Sequence, residues 1–225
     1  MSNILILGAG TMGTAFSFPC SDNNHSVSII GTHLENDFID QINSQKKHPS
    51  LNSYIPEGVK FSKFEKFNEE INKKVDLIVV AVISKGIEWA SFELSKVLKD
   101  STPILILTKG LSINNNNYEV LAHKMERLLK KNGIKKTNIS AAAGPCLAKG
   151  LANRVHTSVV FANKDIKIAN LISELVSTEY YHVFTSDDVV GIEVCAAIKN
   201  IFAMAVGASQ SLCSPNSSKK TKDKN

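Results

Sequence analysis

Apolar runs of strand length recur along the chain and alternate with stretches whose apolar residues follow helical spacing. That alternation is the signature of β-α-β units, and runs that stay apolar at consecutive positions belong to strands covered on both faces. Residues 3–8 (NILILG) read as a first buried strand and 26–31 (SVSIIG) as a second. A helix is expected over 34–46, then a loop from His48-Pro49 through Tyr54-Ile55-Pro56-Glu57-Gly58. The pattern further predicts strands over 75–82, 103–108, 137–142, 155–162 and 179–184, with helices over 85–98, 117–131 and 165–176. Asn114 to Asn117 reads as a loop or a helix start.

Ser186-Asp187-Asp188 supplies N-cap chemistry for a long apolar helix from Val189 to Ala208. The stretch is long enough to cross a bilayer, but Glu193, Lys199 and Asn200 within it argue for a buried helix in a soluble protein and against a membrane span. The segment after Gln210 has almost nothing apolar to bury and is expected to be disordered. The expected fold is therefore α/β, a doubly wound, mainly parallel sheet followed by the start of an all-helical second domain. The expected division is a dinucleotide-binding domain over 1–187, the first helix of a substrate domain over 188–210 and a polar tail over 211–225.

Composition narrows the function classes. Of 225 residues 43% are apolar, enough for a sizeable core. The net charge is 26 − 21 = +5, and Lys219, Lys220, Lys222 and Lys224 less Asp223 place +3 of it in the tail. The remaining +2 indicates no nucleic-acid face. Cys20, Cys146, Cys195 and Cys213 are far apart, with no Cys-x-x-Cys pair, so free thiols in a reducing cytoplasm are expected and a metal site is not. The residues before Ile4 show neither a basic flank nor a small-residue cleavage site, so no secretory signal is expected.

The most informative segment is Gly8-Ala9-Gly10-Thr11-Met12-Gly13, a G-x-G-x-x-G between the first strand and a predicted helix. In that context Gly8 makes a tight turn, Gly10 lets a pyrophosphate approach the backbone, and Gly13 allows close helix-to-strand packing. The helix N-terminus then offers free N–H groups to the phosphates. The position that ordinarily carries an acid for the ribose 2′-hydroxyl holds Gly31-Thr32-His33, with Glu35 slightly too late and no Arg nearby for a 2′-phosphate, so NAD and NADP both remain open. Lys109 directly follows a strand, where it either faces the crevice or is a solvated loop lysine. Lys199 has Cys195, Ala196, Phe202 and Ala203 as helical neighbours, and Glu193 is turned away from it. Such a lysine either snorkels to solvent or points into a cleft, where desolvation would suit it to general acid catalysis.

The motifs GAGTMGTA, HP (48–49), TKG (108–110), GPCLAKG (144–150) and GIEVCAAIKN (191–200) resemble, in order and spacing, NAD(P)-dependent glycerol-3-phosphate dehydrogenase over residues 3 to 210. The resemblance implies interconversion of dihydroxyacetone phosphate and sn-glycerol 3-phosphate with NAD or NADP, for phospholipid synthesis. It makes Lys199 the catalytic acid/base and Asn200 a residue that orients substrate. Lys109 would bind substrate and touch cofactor, and Gly144 and Cys146 would line the substrate site. The cofactor contacts would be Gly8, Gly10, Thr11, Met12, Gly13, Thr32, His33, Lys109 and Ala148. The partners that the resemblance implies are a small phosphorylated substrate and a second copy as a homodimer.

The chain departs from the family at Pro19, which is expected to shorten the first helix. It also has Ile83 where proline is usual, and Cys146-Leu147 in place of a hydroxyl residue and an aromatic. The family's helical second domain, with an Asp near the lysine and an Arg-Asn pair for the phosphate, has no counterpart here, so the 225-residue chain is expected to turn over poorly and to self-associate through its apolar last helix. Two other readings stand beside this one: a hydroxyacid or ketopantoate-type reductase, and a cofactor-binding module without catalysis.

Overall fold

The computed structural model describes residues 1–51, 53–98 and 102–213. In chain order these form β1 (Asn3–Leu7), α1 (Thr11–Asp22), β2 (Ser26–Ile30), α2 (Asn36–Gln45), β3 (Lys60–Ser62), α3 (Phe67–Ile71), β4 (Leu77–Val80), α4 (Ile87–Ser95) and β5 (Pro103–Ile106). Next come β6 (Leu111–Asn114), β7 (Asn117–Val120), α5 (Leu121–Lys131), β8 (Asn138–Ala143), α6 (Ala148–Ala152), β9 (Thr157–Ala162), α7 (Ile166–Val176), β10 (Tyr181–Ser186) and α8 (Val189–Cys213). Eight strands make one sheet in the order β10-β9-β8-β5-β4-β1-β2-β3. Every neighbouring pair is parallel except β8 with β9.

The consecutive apolar residues of the central strands are explained by burial on both faces. Ile4 and Ile6 of β1, Leu77 and Val79 of β4 and Leu105 of β5 point to one side, where α1, α6 and α7 contribute Phe16, Leu151 and Ile172. Leu5 and Leu7, Ile78 and Val80, and Ile104 and Ile106 point to the other, against Ile87 and Leu94 of α4 and Met125 and Leu129 of α5. Each such side chain contributes about 1.5–3 kcal/mol of burial, so the three layers are specified by the strands themselves.

Several elements differ from the sequence expectations. Pro19 lies inside α1, which continues to Asp22. Every residue from Gly13 to Cys20 is buried, and the burial of Phe16, Phe18 and Cys20 offsets the roughly 3 kcal/mol that an interior proline costs. The predicted helix over 117–131 begins only at Leu121, because residues 111–120 pair as the antiparallel hairpin β6-β7. Its two-residue loop, Asn115-Asn116, has φ 48° and 63°, the left-handed pair of a type I′ turn that asparagine tolerates. The polar run is thus the hairpin's tip. The expected loop ends in β3, a 3-10 turn and α3, short elements without a periodic pattern.

The last helix also differs. Asp188 caps it by accepting from the Gly191 N–H at 2.8 Å, and Val189 and Glu193 are buried. Beyond those turns the helix runs past Gln210 to Cys213 as a largely exposed rod, with Phe202 64% and Met204 71% exposed. The expected burial of this helix is not found, since no described element packs over its later turns; it is long and apolar enough to cross a membrane. The polar tail expected over 211–225 lies, from residue 214, outside the described residues.

Glu193 fastens α8 to the domain. Its two carboxyl oxygens accept from the N–H groups of Leu121, at 3.2 Å, and Ala122, at 2.9 Å, the first residues of α5. Burial drives its pKa from 4.5 to about 7, against the pull of those two N–H donors. The folded chain therefore holds this proton more tightly than the unfolded chain. The stability it contributes is complete below pH 4.5 and is lost as pH rises through about 7. Glu193→Gln is expected to flatten that fall, read as the difference between variant and parent melting temperatures at a series of pH values. Parallel profiles would show that Glu193 does not titrate in this window.

Candidate functional site

The turn from β1 into α1 is built by three glycines with different reasons to be glycine. A Cβ on Gly8, whose φ is +111°, would lie 2.7 Å from the Ala81 carbonyl oxygen, and one on Gly13 would run into the Gly8 carbonyl. Both positions are dictated by the chain's own backbone. Gly10 is not: its φ is −62° and its ψ 175°, and the nearest atom to a Cβ there is Glu35 Oε1 at 4.0 Å. The fold leaves that space open. At the start of α1 no side chain caps the helix, so the N–H groups of Thr11, Met12 and Gly13 lack intrahelical acceptors.

Beside Gly10 a cleft of about 440 Å³ opens, lined among others by Thr32, His33, Glu35, Ile83 and Trp89. It sits at the carboxyl ends of β1, β2 and β4, where strand order runs outward in both directions from the β1-β4 pair, the usual ligand crevice of a doubly wound sheet. Trp89 stands 5.4 Å, centroid to centroid, from the ring of His33 and 5.0 Å from that of Phe64. An apolar, aromatic-walled cleft next to an open glycine and uncapped N–H groups fits the adenosine and pyrophosphate of a dinucleotide. Sequence reasoning did not single out Trp89, and it placed Glu35 too far along the chain to reach the cleft that it lines. The only signal for Trp89 was its place in the first turn of α4, just past the end of β4.

A second group gathers at the ends of β5 and β8. Lys109 donates from Nζ to the Gly144 carbonyl at 3.3 Å. Burial lowers its pKa, and the nearby Lys199 ammonium lowers it further. Met12 of α1, Lys109, Gly144 and Cys146 line one small pocket between the glycine turn and the β8 loop. Gly144 has φ +135°, and a Cβ there would meet Val159 Cα at 2.8 Å. Burial raises the Cys146 thiol pKa, with Lys109 opposing. Ala148 opens α6 and packs on the same core cluster as Met12 and Cys146.

The structure thus brings Lys109, Gly144, Cys146 and Met12 together, with Lys199 within electrostatic reach of Lys109. Of the two settings open to Lys199, the exposed one is found: Lys199, Asn200 and Phe202 are exposed on α8. His33 is likewise exposed at the mouth of the first cleft. His48, of the His-Pro motif, is buried against Phe38 with ring centroids 4.9 Å apart and accepts at Nδ1 from the Ser50 N–H at 3.0 Å. Burial lowers its pKa, and its role is to anchor the loop after α2.

Residues 3–169 match the family described as NAD-dependent glycerol-3-phosphate dehydrogenase N-terminus. A relative from Archaeoglobus fulgidus named NADP(+)-dependent glycerol-3-phosphate dehydrogenase is 31% identical over 207 residues, covering 90% of this chain and 59% of its own length. One from Francisella tularensis named glycerol-3-phosphate dehydrogenase [NAD(P)+] is 31% identical over 208 residues, covering 91% of this chain and again 59% of its own. A crystal structure of glycerol-3-phosphate dehydrogenase from Coxiella burnetii superposes with a TM-score of 0.79 at 25% identity, over 94% of this chain and 62% of that one. The chain therefore spans about 59% of the length of the curated relatives it matches. With its glycine turn, its strand-end lysine and three quarters of its length falling within that match, the chain belongs to the NAD-dependent glycerol-3-phosphate dehydrogenase family.

Proposed function

We propose that the chain serves a nicotinamide-dependent oxidoreductase that interconverts dihydroxyacetone phosphate and sn-glycerol 3-phosphate. The observation that carries this reading is the meeting of two unlike sites along one sheet edge: an open glycine cleft at β1 and β4, and Lys109 beside Met12 after β5, with Lys199 of α8 within electrostatic reach of Lys109. NAD or NADP supplies the hydride when bound. Gly10 admits the pyrophosphate to the backbone, and Thr11, Met12 and Gly13 donate N–H groups to it. Lys109, tied to the Gly144 carbonyl, holds an anionic substrate and touches the nicotinamide end. Two like charges brought together favour an anion between them, which supports a phosphorylated substrate. Lys199 passes a proton to and from the substrate oxygen, and Asn200, Gly144 and Cys146 shape the space around it.

In this reading residues 1–187 are the cofactor domain and 188–210 begin the part that completes the substrate site. The exposed apolar face of α8 supports further polypeptide covering it, from the remainder of a longer enzyme or from a second copy. The reduced thiols Cys20, Cys146 and Cys195 support a cytoplasmic setting. Glu193 and Lys199 within α8 speak against its lying in a bilayer.

Gly10→Val is expected to leave the melting temperature unchanged, because the space is open, and to abolish the fluorescence change of NADH or NADPH on titration. Unaltered cofactor binding would reduce the motif to a turn. Lys199→Met is expected to keep cofactor affinity near that of the parent and to slow dihydroxyacetone phosphate-dependent NADH oxidation by about two to four powers of ten. Parent-like turnover would remove Lys199 from the chemistry.

A further inference from the structure

The names of the relatives divide between NADP and NAD(P), so any cofactor preference of this chain must come from its own residues in the adenosine cleft. The acid that reads a ribose ordinarily sits at the very end of the second strand. Here β2 ends at Ile30, and that position is followed by Gly31 and Thr32. The chain then folds back on itself. The Glu35 N–H donates to the Thr32 carbonyl at 3.0 Å, closing a turn, and α2 starts immediately afterwards.

That turn returns the Glu35 carboxylate to the strand end. Its Oε2 accepts from the Thr32 N–H at 2.6 Å and from the Ala9 N–H, inside the glycine motif, at 3.3 Å. Its Oε1 faces the open space at Gly10, 4.0 Å from where a Cβ would stand. The carboxylate therefore bridges the two backbone segments that bound the cleft, with one oxygen fixed and the other available. Swinging it away would strip the shared acceptor from two backbone N–H groups, which holds it in place.

We propose that Glu35 accepts a hydrogen bond from the adenosine ribose 2′-hydroxyl and makes this chain selective for NAD(H) over NADP(H). A 2′-phosphate placed at that hydroxyl would meet a fixed carboxylate of the same sign, the repulsive element on which discrimination usually depends. One ammonium and one imidazole line the same cleft, those of Lys85 and His33. Lys85 is exposed on the wall after β4, and His33 turns its ring to Trp89; the Glu35 carboxylate is held instead by the Thr32 and Ala9 N–H groups. No arginine is among the described residues lining the cleft. The inference rests on the reading of this cleft as the cofactor's adenosine site.

The test is a fluorescence titration of the full chain with NADH and with NADPH, for the parent and for Glu35→Gln, with the melting temperature recorded for both. The parent is expected to bind NADH at least about tenfold more tightly than NADPH, and the variant to narrow the ratio to about threefold by gaining NADPH affinity. Competition by 5′-AMP and by 2′,5′-ADP, which occupy only the adenosine end, is expected to show the same preference for AMP in the parent. A parent that binds both dinucleotides equally overturns the proposal even if the variant fails to fold. A variant that gains equally for both also overturns it, since Glu35 would then merely compete with the pyrophosphate for the Ala9 N–H. Failure of the parent to bind either dinucleotide overturns the cofactor reading together with this one.

Discussion

The approach of α1 to the end of β1 governs the whole carboxyl edge of the sheet. The helix starts so close to the strand that position 13 has no room for a Cβ against the Gly8 carbonyl, and Gly8 itself is pressed onto the Ala81 backbone after β4. Close packing at this point buries α1 almost completely over the sheet, proline included. It also aims the unsatisfied N–H groups of the helix at the carboxyl edge of the strands, where they can serve only a ligand or water. The steric demand at Gly8 and Gly13 and the open space at Gly10 are two sides of one arrangement. The first builds the platform, and the second leaves it accessible.

Along the same edge the parallel strands deliver side chains from distant parts of the sequence to neighbouring places. Lys109 follows β5, Gly144 and Cys146 follow β8, and Met12 belongs to α1, yet they line one pocket. The interior of the sheet is rigid because it is apolar on both faces and closely packed. The loops at its edge are not bound by that packing, and they leave Ile83 74% and Leu147 77% exposed.

The attachment of α8 has a different character. Its first turns are held by a carboxyl group buried at the N-terminus of α5, an arrangement that trades solvation of Glu193 for two backbone hydrogen bonds and a defined register of helix on domain. That register is what sets Lys199 within electrostatic range of Lys109. The exposed turns beyond carry large apolar side chains and remain a surface in want of a partner.

The strands, the sheet class and the glycine turn were legible in the amino-acid sequence because each is written in contiguous residues. A run apolar on both faces forms an enclosed strand, and a glycine triad after it turns tightly into a helix. Position along the chain also marked the strand-end Lys109 and the helical Lys199. The hairpin of residues 111–120, with strands of only four residues, was illegible because its pairing, not its composition, makes it a sheet. Pro19 was misread because local propensity is outweighed by the burial of α1. The contacts of Glu35 and Glu193 were illegible for one common reason. Their partners, Ala9 and Leu121-Ala122, lie 26 and more than 70 residues away, and backbone N–H groups carry no mark in a sequence. What those two carboxylates face was settled by folding alone, which brings a turn back onto a glycine loop and one helix onto the start of another.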